Sequence, residues 1–356
     1  MTTIDFSKEW QVIVPSDIPQ AKKAAADLSR CFGLLATLNG SKAKVPELIN
    51  ALEPMPSKTA SCIVLNCEKS GSDSDLRRNG FAWRAKSGRI EIFGESSRGL
   101  CNGIYSFIAA MGVSWPEPGE ETLPKAGTGL VRDNASEPSH FDEKKTFASP
   151  WRRFMPAGKR GLSKIFAKNE AFTTWAARNR YDALVIPMAA FVSDGQKLKQ
   201  LDKNAQEYSI ALEAGGHDLS SLLPRKAFLF HRDYFRMEDG KRKMDHHFCP
   251  TNPGALRLIG KEAEKLFRAA GEVISSVRKV FHLWPDNGAE NAWCSCPTCR
   301  AFTTQEQNRI AVNAAADILA AINPDAIITF YENSGEGEKI SIRKNALKLE
   351  KLPDSE

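Results

Sequence analysis

Residues 303–331, TTQEQNRIAVNAAADILAAINPDAIITFY, hold one complete repeat of the fold, a capped helix running into a short buried strand. Thr303 followed by Glu306 is a capping-box pair, which satisfies two orphan N–H groups where a helix begins. Ala311, Ala315, Ile318 and Ile322 then recur at helical spacing and mark an inward face. Beyond Asn323-Pro324, the apolar run from Ala326 to Tyr331 has the length of a strand covered on both sides.

The same rhythm recurs toward the N-terminus. Val280 to Trp284 is another such strand, and before it Pro253 opens a helix with Leu256, Ile259, Ala263 and Leu266 on one face. Ser209 to Glu213, Ala183 to Pro187 and Trp151 to Met155 bring the strands to five. Short apolar strands alternating with helices form a parallel sheet, and a right-handed series of them closes into a (β/α)8 barrel whose active site lies where the strands end. Residues 150–335 are read as such a barrel and 336–356 as a charged tail with at most one more short strand. Five strands fall short of eight, so the barrel is incomplete, or another chain (as in a homo-oligomer) or residues outside this sequence complete it.

Residues 1–126 read as a separate, small α/β domain. Residues 9–15 alternate as a strand, Ser16 or Asp17 can cap a helix with Pro19 in its first turn, and Ala21, Ala25, Leu28, Phe32 and Leu35 form that helix's buried face. Ser61 to Cys67 is a strand, Phe81 to Arg84 and Arg89 to Phe93 form a hairpin, and Leu100, Ile104, Phe107, Ile108 and Met111 line a second helix. The polar, broken stretch 127–149 reads as a linker. The fold class is therefore α/β, with an N-terminal domain followed by an incomplete (β/α)8-type barrel.

Composition supports two globular domains: 356 residues, 42% hydrophobic, with 49 basic against 43 acidic side chains for a net charge of +6. That charge is scattered, which disfavours nucleic acid as a partner. No run approaches the roughly 20 apolar residues of a membrane span, and the first residues lack a basic start followed by an apolar run. The expected location is cytoplasmic as written, and secreted or periplasmic if the chain was trimmed. Phosphate-binding GxxxxGK[ST], GxGxxG after a strand, GxSxG and HExxH are all missing from the sequence, so nucleotide hydrolysis, dinucleotide redox, serine-esterase and zincin chemistry lose their usual support. No organic cofactor is called for.

Polar residues fall at the expected strand ends: Glu213 with His217, Asp286 with Glu290, and Glu332; Asn287, next to Asp286, is a further substrate-binding candidate. In FHLWPDNGAENAWCSCPTCR, residues 281–300, Asp286 follows a strand directly, where a buried carboxyl could protonate a leaving oxygen; Asp-Asn-Gly is equally a turn. Gly215-Gly216 turns the backbone sharply and presents His217, a hydrogen-bonding or acid–base group. Trp284 and Trp293 offer apolar faces, while Arg152 and Arg153 could grip a carboxylate substituent or form a solvated rim. Cys294, Cys296 and Cys299 have knuckle spacing, and Cys249, with His246 or His247 behind it, is the best fourth ligand for a structural zinc. A disulfide, or reduced thiols bracing a loop, are the alternatives.

These segments carry a resemblance. GESSRGLCNGIYSFIAAMGVSWPEPGEETLP, residues 94–124, resembles the closing segment of the N-terminal domain of α-glucuronidases and β-N-acetylhexosaminidases. GHDLSSLLP at 216–224, HRDYFRMEDGKR at 231–242, FCPTNP at 248–253 and PDNGAENAWCSCPTC at 285–299 together resemble the bacterial family known as domain of unknown function 4838. The resemblance implies a glycoside-hydrolase-like protein acting on a carbohydrate, an acidic or N-acetylated sugar included. It implies Asp286 as the acid after strand four, His217 after strand three, and Glu332 after strand five as an assisting carboxylate; Glu213 is a further catalytic candidate from its place at a strand end. An inactive or carbohydrate-binding relative is the alternative, because relatives continue through three more strands and Asp233-Tyr234-Phe235 departs from the family's pattern.

Overall fold

The computed structural model describes residues 2–15, 18–42, 44–50, 61–67, 79–86, 88–126, 130–131, 134–137, 152–217, 219–276, 279–286, 292–333 and 338–344. The chain divides into two compact units, Met1–Asp142 with Ser149–Leu184 and Gln200–Ala211, and Glu143–Ala148 with Val185–Lys199 and Leu212–Glu356.

The first unit starts with β1 (Thr2–Thr3), β2 (Trp10–Val14), α1 (Pro19–Leu38), β3 (Glu47–Asn50), β4 (Ser61–Cys67), β5 (Phe81–Lys86), β6 (Arg89–Gly94) and α2 (Ser97–Ala110). β7 (Leu130–Val131) and β8 (Asn134–Glu137) follow. The main sheet has the order β3-β2-β4-β6-β5-β8, parallel from β3 to β6 and antiparallel beyond. The predicted faces of both helices are buried, from Ala21 to Leu35 on α1 and from Leu100 to Met111 on α2, and the two helices pack together. Each large side chain so buried contributes about 1.5 to 3 kcal/mol.

Two short strands arise where sequence indicated a linker: β7 pairs antiparallel with β1, and β8 with β5. Neither has an apolar alternation to announce it, since an edge strand needs only backbone partners. Residues 138–150 lie outside the described residues, as do Ser16 and Asp17; the residue at the N-cap of α1 is Ile18, which makes no side-chain cap.

After β8 the unit continues with β9 (Arg153–Phe154), α3 (Gly158–Ala167), α4 (Asn169–Arg178) and the start of β10 (Ala183–Ile186). Its interior is unusually polar at one point. Asp182, only 1% exposed, accepts from Asn79 Nδ2 (3.0 Å), Asn102 Nδ2 (3.0 Å), Arg98 Nε (3.3 Å) and the Arg152 backbone N–H (3.0 Å). Arg98 spends its other donors on the carbonyls of Tyr208 and Ala177. A second group joins Asp27 to Arg178 by two 2.7 Å bonds and Arg30 to Glu121 by bonds of 2.8 and 2.6 Å. Hydrogen bonds from Arg30 chiefly, and from Trp115, hold the Glu121 carboxyl down to about 2 against the effect of burial.

The chain then forms α5 (Met188–Ser193), α6 (Gly195–Gln206), β11 (Ala211–Gly216), the ribbon of β12 (Met237–Glu238) and β13 (Lys241–Arg242), α7 (Pro253–Val273), β14 (Val280–Leu283), α8 (Thr304–Ile322), β15 (Ile327–Asn333) and β16 (Glu338–Lys344). The second six-stranded sheet is ordered β16-β15-β14-β11-β10-β9, with five parallel strands and β16 antiparallel along the whole of β15. The α/β class with a partial, five-stranded barrel-type sheet is thus what forms. Counting from β9, β14 is the fourth parallel strand.

Both long helices start as predicted: Asn252 caps α7 ahead of Pro253, and Thr303 with Glu306 makes a full capping box on α8. The buried stripe of α8 is rotated slightly from the expected one. Val312, Ala316 and Leu319 are buried with Ala311 and Ala315, whereas Ile318 and Ile322 are half-buried. Among the described residues no helix is long and apolar enough to cross a membrane.

Candidate functional site

The chemistry of the second unit concentrates at the C-terminal ends of β11 and β14. These strands pair as Ala214 with Phe281, Gly215 with His282 and Gly216 with Leu283. Gly215 has φ +111°, and a Cβ there would lie 2.1 Å from the His282 carbonyl oxygen, so only glycine permits this approach. The glycine pair therefore belongs to the strand rather than to a turn after it. This corrects the expectation that the strand ends at Glu213, which instead lies within β11 and is fully buried.

Past the strand ends, four hydrogen bonds lace the two loops together. The Trp284 N–H donates to Gly216 O (3.1 Å), and the Leu219 N–H donates to Trp284 O (3.2 Å). His217 Nδ1 lies 2.9 Å from the Pro285 carbonyl, and the Ser220 N–H donates to Asp286 Oδ1 (3.2 Å). A carbonyl only accepts, so Nδ1 of His217 carries the proton and Nε2 is the basic nitrogen of the neutral ring. Both His217 and Asp286 are half-buried. Beside them Arg225 donates to the Ser220, Met244 and Asp245 carbonyls. Burial lowers the pKa of its guanidinium, opposed by the charges of Asp286 and Asp245.

Beneath these loops lies a buried polar chain. His282 Nε2 is 2.8 Å from Glu213 Oε2, His282 Nδ1 is 2.6 Å from Thr329 Oγ1, and the Trp284 indole N–H donates to Thr329 Oγ1 at 3.0 Å. Trp284 contacts His282 and His217, with ring centroids 4.6 and 5.1 Å away. Sequence reasoning missed His282 and Thr329. The signal was available, since each is a polar residue inside an otherwise apolar strand, and His282 shares a strand face with Trp284 two positions on.

The other predicted residues are placed as follows. Trp284 and Trp293 are 6% and 5% exposed, so neither offers a broad ring face to solvent. Trp293 is stacked on His247 at 4.3 Å, against Phe248. Glu332 is paired with Lys339 by backbone register, its side chain lying outside the described residues, as does all of Asn287. Arg152 is exposed and Arg153 half-buried, both in the first unit.

The four expected cysteines do converge. Cys249, Cys294, Cys296 and Cys299 are buried, unbonded thiols whose sulfurs all lie within 4.8 Å of one another. Cys249 Sγ is 3.8 Å from Cys296 Sγ and 3.7 Å from Cys299 Sγ. Four thiolates around an ion at about 2.3 Å have sulfur–sulfur edges of about 3.8 Å, so the set fits a tetrahedral metal. His246 is exposed and His247 is stacked on Trp293, and the four-ligand set comprises cysteines alone.

The surroundings suit anionic sulfur: the Met237 N–H points at Cys294 Sγ from 3.3 Å, and Arg242 from 3.7 Å. A hydrogen bond from the Cys294 thiol lowers Cys249, while the same bond and burial raise Cys294. The loop around the thiols is fixed by Gln307, which accepts from the Cys294 N–H and donates to the carbonyls of Cys294 and Cys299.

No protein-family model matches the chain, and no curated protein matches it in sequence. Solved structures do match. A chitobiase from Flavobacterium johnsoniae aligns with TM-score 0.51 at 13% identity, over 94% of this chain and 53% of its own. A family 20 exo-β-N-acetylglucosaminidase from Vibrio harveyi, in complex with N-acetylglucosamine, aligns with TM-score 0.50 at 10% identity, over 95% and 53%. The chain spans about half the length of these glycoside hydrolases, and over that half it shares their fold.

Proposed function

We propose that the protein is glycoside-hydrolase-like and acts on a carbohydrate, with an N-acetylated or acidic sugar as the class to test first. The observation that carries this reading is the position of Asp286, half-buried in the loop after the fourth parallel strand and tied to the strand-three loop that bears His217. In barrel enzymes the loops after the strands hold the catalytic groups. The fold shared with the chitobiase and the exo-β-N-acetylglucosaminidase supports the same reading.

In this account the carboxyl group of Asp286 gives a proton to the leaving glycosidic oxygen, and His217 binds a sugar hydroxyl through Nε2. The test is turnover of chromogenic N-acetylhexosaminides and α-glucuronides by wild type and Asp286→Asn. Turnover is expected to fall at least a hundredfold in the variant at unchanged melting temperature. Equal loss of stability would favour Asp286 as a turn residue instead.

A second reading, a carbohydrate-binding relative without hydrolysis, is favoured by β16, which occupies the edge of β15 in antiparallel register where a sixth parallel strand would pair. Sugar binding without turnover on any glycoside of the panel would select it.

The four cysteines hold a zinc ion in this account. With four thiolates the ion has no open position for water, so its contribution is structural. Purified protein is expected to contain about one equivalent of zinc per chain, and Cys296→Ser to lower metal content and melting temperature together. Metal-free protein of equal stability would contradict it.

A further inference from the structure

Glu213 is a carboxylate that the proposed reaction does not use, and its surroundings give it a different task. It is fully buried, as is His282, and Thr329 is 1% exposed. The direction of the hydrogen bonds among them follows from their chemistry. An indole N–H can only donate, so Thr329 Oγ1 accepts from Trp284. If the Thr329 hydroxyl proton goes to His282 Nδ1, the imidazole proton sits on Nε2 and is donated to Glu213 Oε2, and every proton has an acceptor. The reverse tautomer would have His282 Nδ1–H also donating to Thr329, leaving the hydroxyl proton without an acceptor among the described residues.

We infer that Glu213, His282 and Thr329 are positioning residues, a one-way hydrogen-bond relay that fixes the Trp284 indole and, through it, the His217 ring. This rests on the reading of the β11 and β14 loops as the sugar site and reassigns Glu213 from substrate chemistry to alignment. Trp284 is the natural output of the relay. Its backbone is pinned to Gly216 and Leu219, so its remaining freedom is ring rotation, and the Thr329 bond removes that. The ring so fixed meets the His217 imidazole edge to face. His217 is then held from two sides, by Trp284 and by the Pro285 carbonyl, which aims Nε2.

The relay is tested on the full chain by NMR with 15N-labelled tryptophan and histidine, which needs no substrate. The Trp284 indole N–H signal is identified by its loss in Trp284→Phe, and the His282 signals by their loss in His282→Gln. Wild type is expected to show His282 protonated on Nε2. Thr329→Val, which keeps the side-chain shape, is expected to move the Trp284 indole signal and the His217 ring signals together. Glu213→Gln is expected to change the His282 signals and, more weakly, that of Trp284. A His282 ring protonated only on Nδ1, or a Trp284 signal unmoved by Thr329→Val in folded protein, would overturn the relay. Should Thr329→Val fail to fold, Thr329→Ser keeps the hydroxyl, and wild-type Trp284 and His217 signals in it are expected; displaced ones would overturn the proposal.

Where the glycoside panel yields turnover, Thr329→Val is expected to lower kcat about tenfold with little change in KM. Protein with an intact relay but no action on sugar would refute the functional reading alone.

Discussion

Asp182 in the first unit and Glu213 in the second are both buried carboxylates on or beside a parallel strand, at 1% and 0% exposure, yet their surroundings differ in kind. Asp182 is surrounded by amides, a backbone N–H and the guanidinium of Arg98, none of which changes protonation near neutral pH. Its network closes on itself. Glu213 faces a histidine, and the chain of bonds from that histidine leads to a tryptophan at the strand ends. A carboxylate satisfied on all sides by inert donors holds a structure together, whereas one linked through a titratable ring to a loop cluster can set geometry where chemistry occurs.

Three substitutions can break or sharpen this contrast. The largest effect is expected from Asp182→Ala, which leaves the Arg98 guanidinium buried without its counter-charge and should cost about 3 to 5 kcal/mol in denaturant unfolding. Stability within 1 kcal/mol of wild type would remove the structural role assigned to Asp182. Next is Glu213→Gln, which retains an acceptor for His282 and should cost only about 1 kcal/mol of stability while lowering sugar affinity or turnover roughly tenfold. The reverse pattern, a large loss of stability with unchanged sugar handling, would make Glu213 another Asp182.

The smallest effect involves Glu121, a partly exposed carboxylate of the first unit whose pKa Arg30 holds at about 2, below its ordinary 4.5. A carboxyl depressed in the folded state stabilises the fold fully above its unfolded value and ceases to do so as pH falls through the folded one. Solvent screening at the half-exposed Arg30 reduces the gain, so Glu121→Gln should cost about 1 to 2 kcal/mol at pH 7. The difference from wild type should shrink as pH drops from 4.5 toward 2, and a pH-independent difference would contradict the assignment.

Much of the fold was legible because its signals are local. Helical faces such as Ala21 to Leu35, the capping box at Thr303 and the strand after it need only neighbouring residues to be read. The strands at Glu47–Asn50 and Asn134–Glu137 were missed because they are a largely exposed edge and a small polar segment, held in place by pairing with residues distant in sequence.

In the candidate site, the cysteine set and the positions of Asp286 and His217 followed from spacing and punctuation. His282 and Thr329 did not, because their role depends on strand register, and Gly215-Gly216 looked like a turn until the close approach of β14 was seen. The burial of Trp284 and Trp293 was not legible for a related reason: an aromatic residue at a strand end can face a ligand or brace the loop beneath it, and sequence does not distinguish the two.

The central claim, that the loops after β11 and β14 form a sugar site, is tested most directly by titrating 15N-tryptophan- and histidine-labelled protein with N-acetylglucosamine and with glucuronic acid. The account predicts that one of the two sugars shifts the His217 ring signals and the Trp284 indole signal at a common saturating concentration. The Trp115 indole, whose N–H is bound to Glu121 in the first unit, should stay still. Saturable shifts confined to other residues, or none with either sugar at millimolar concentration, would contradict it.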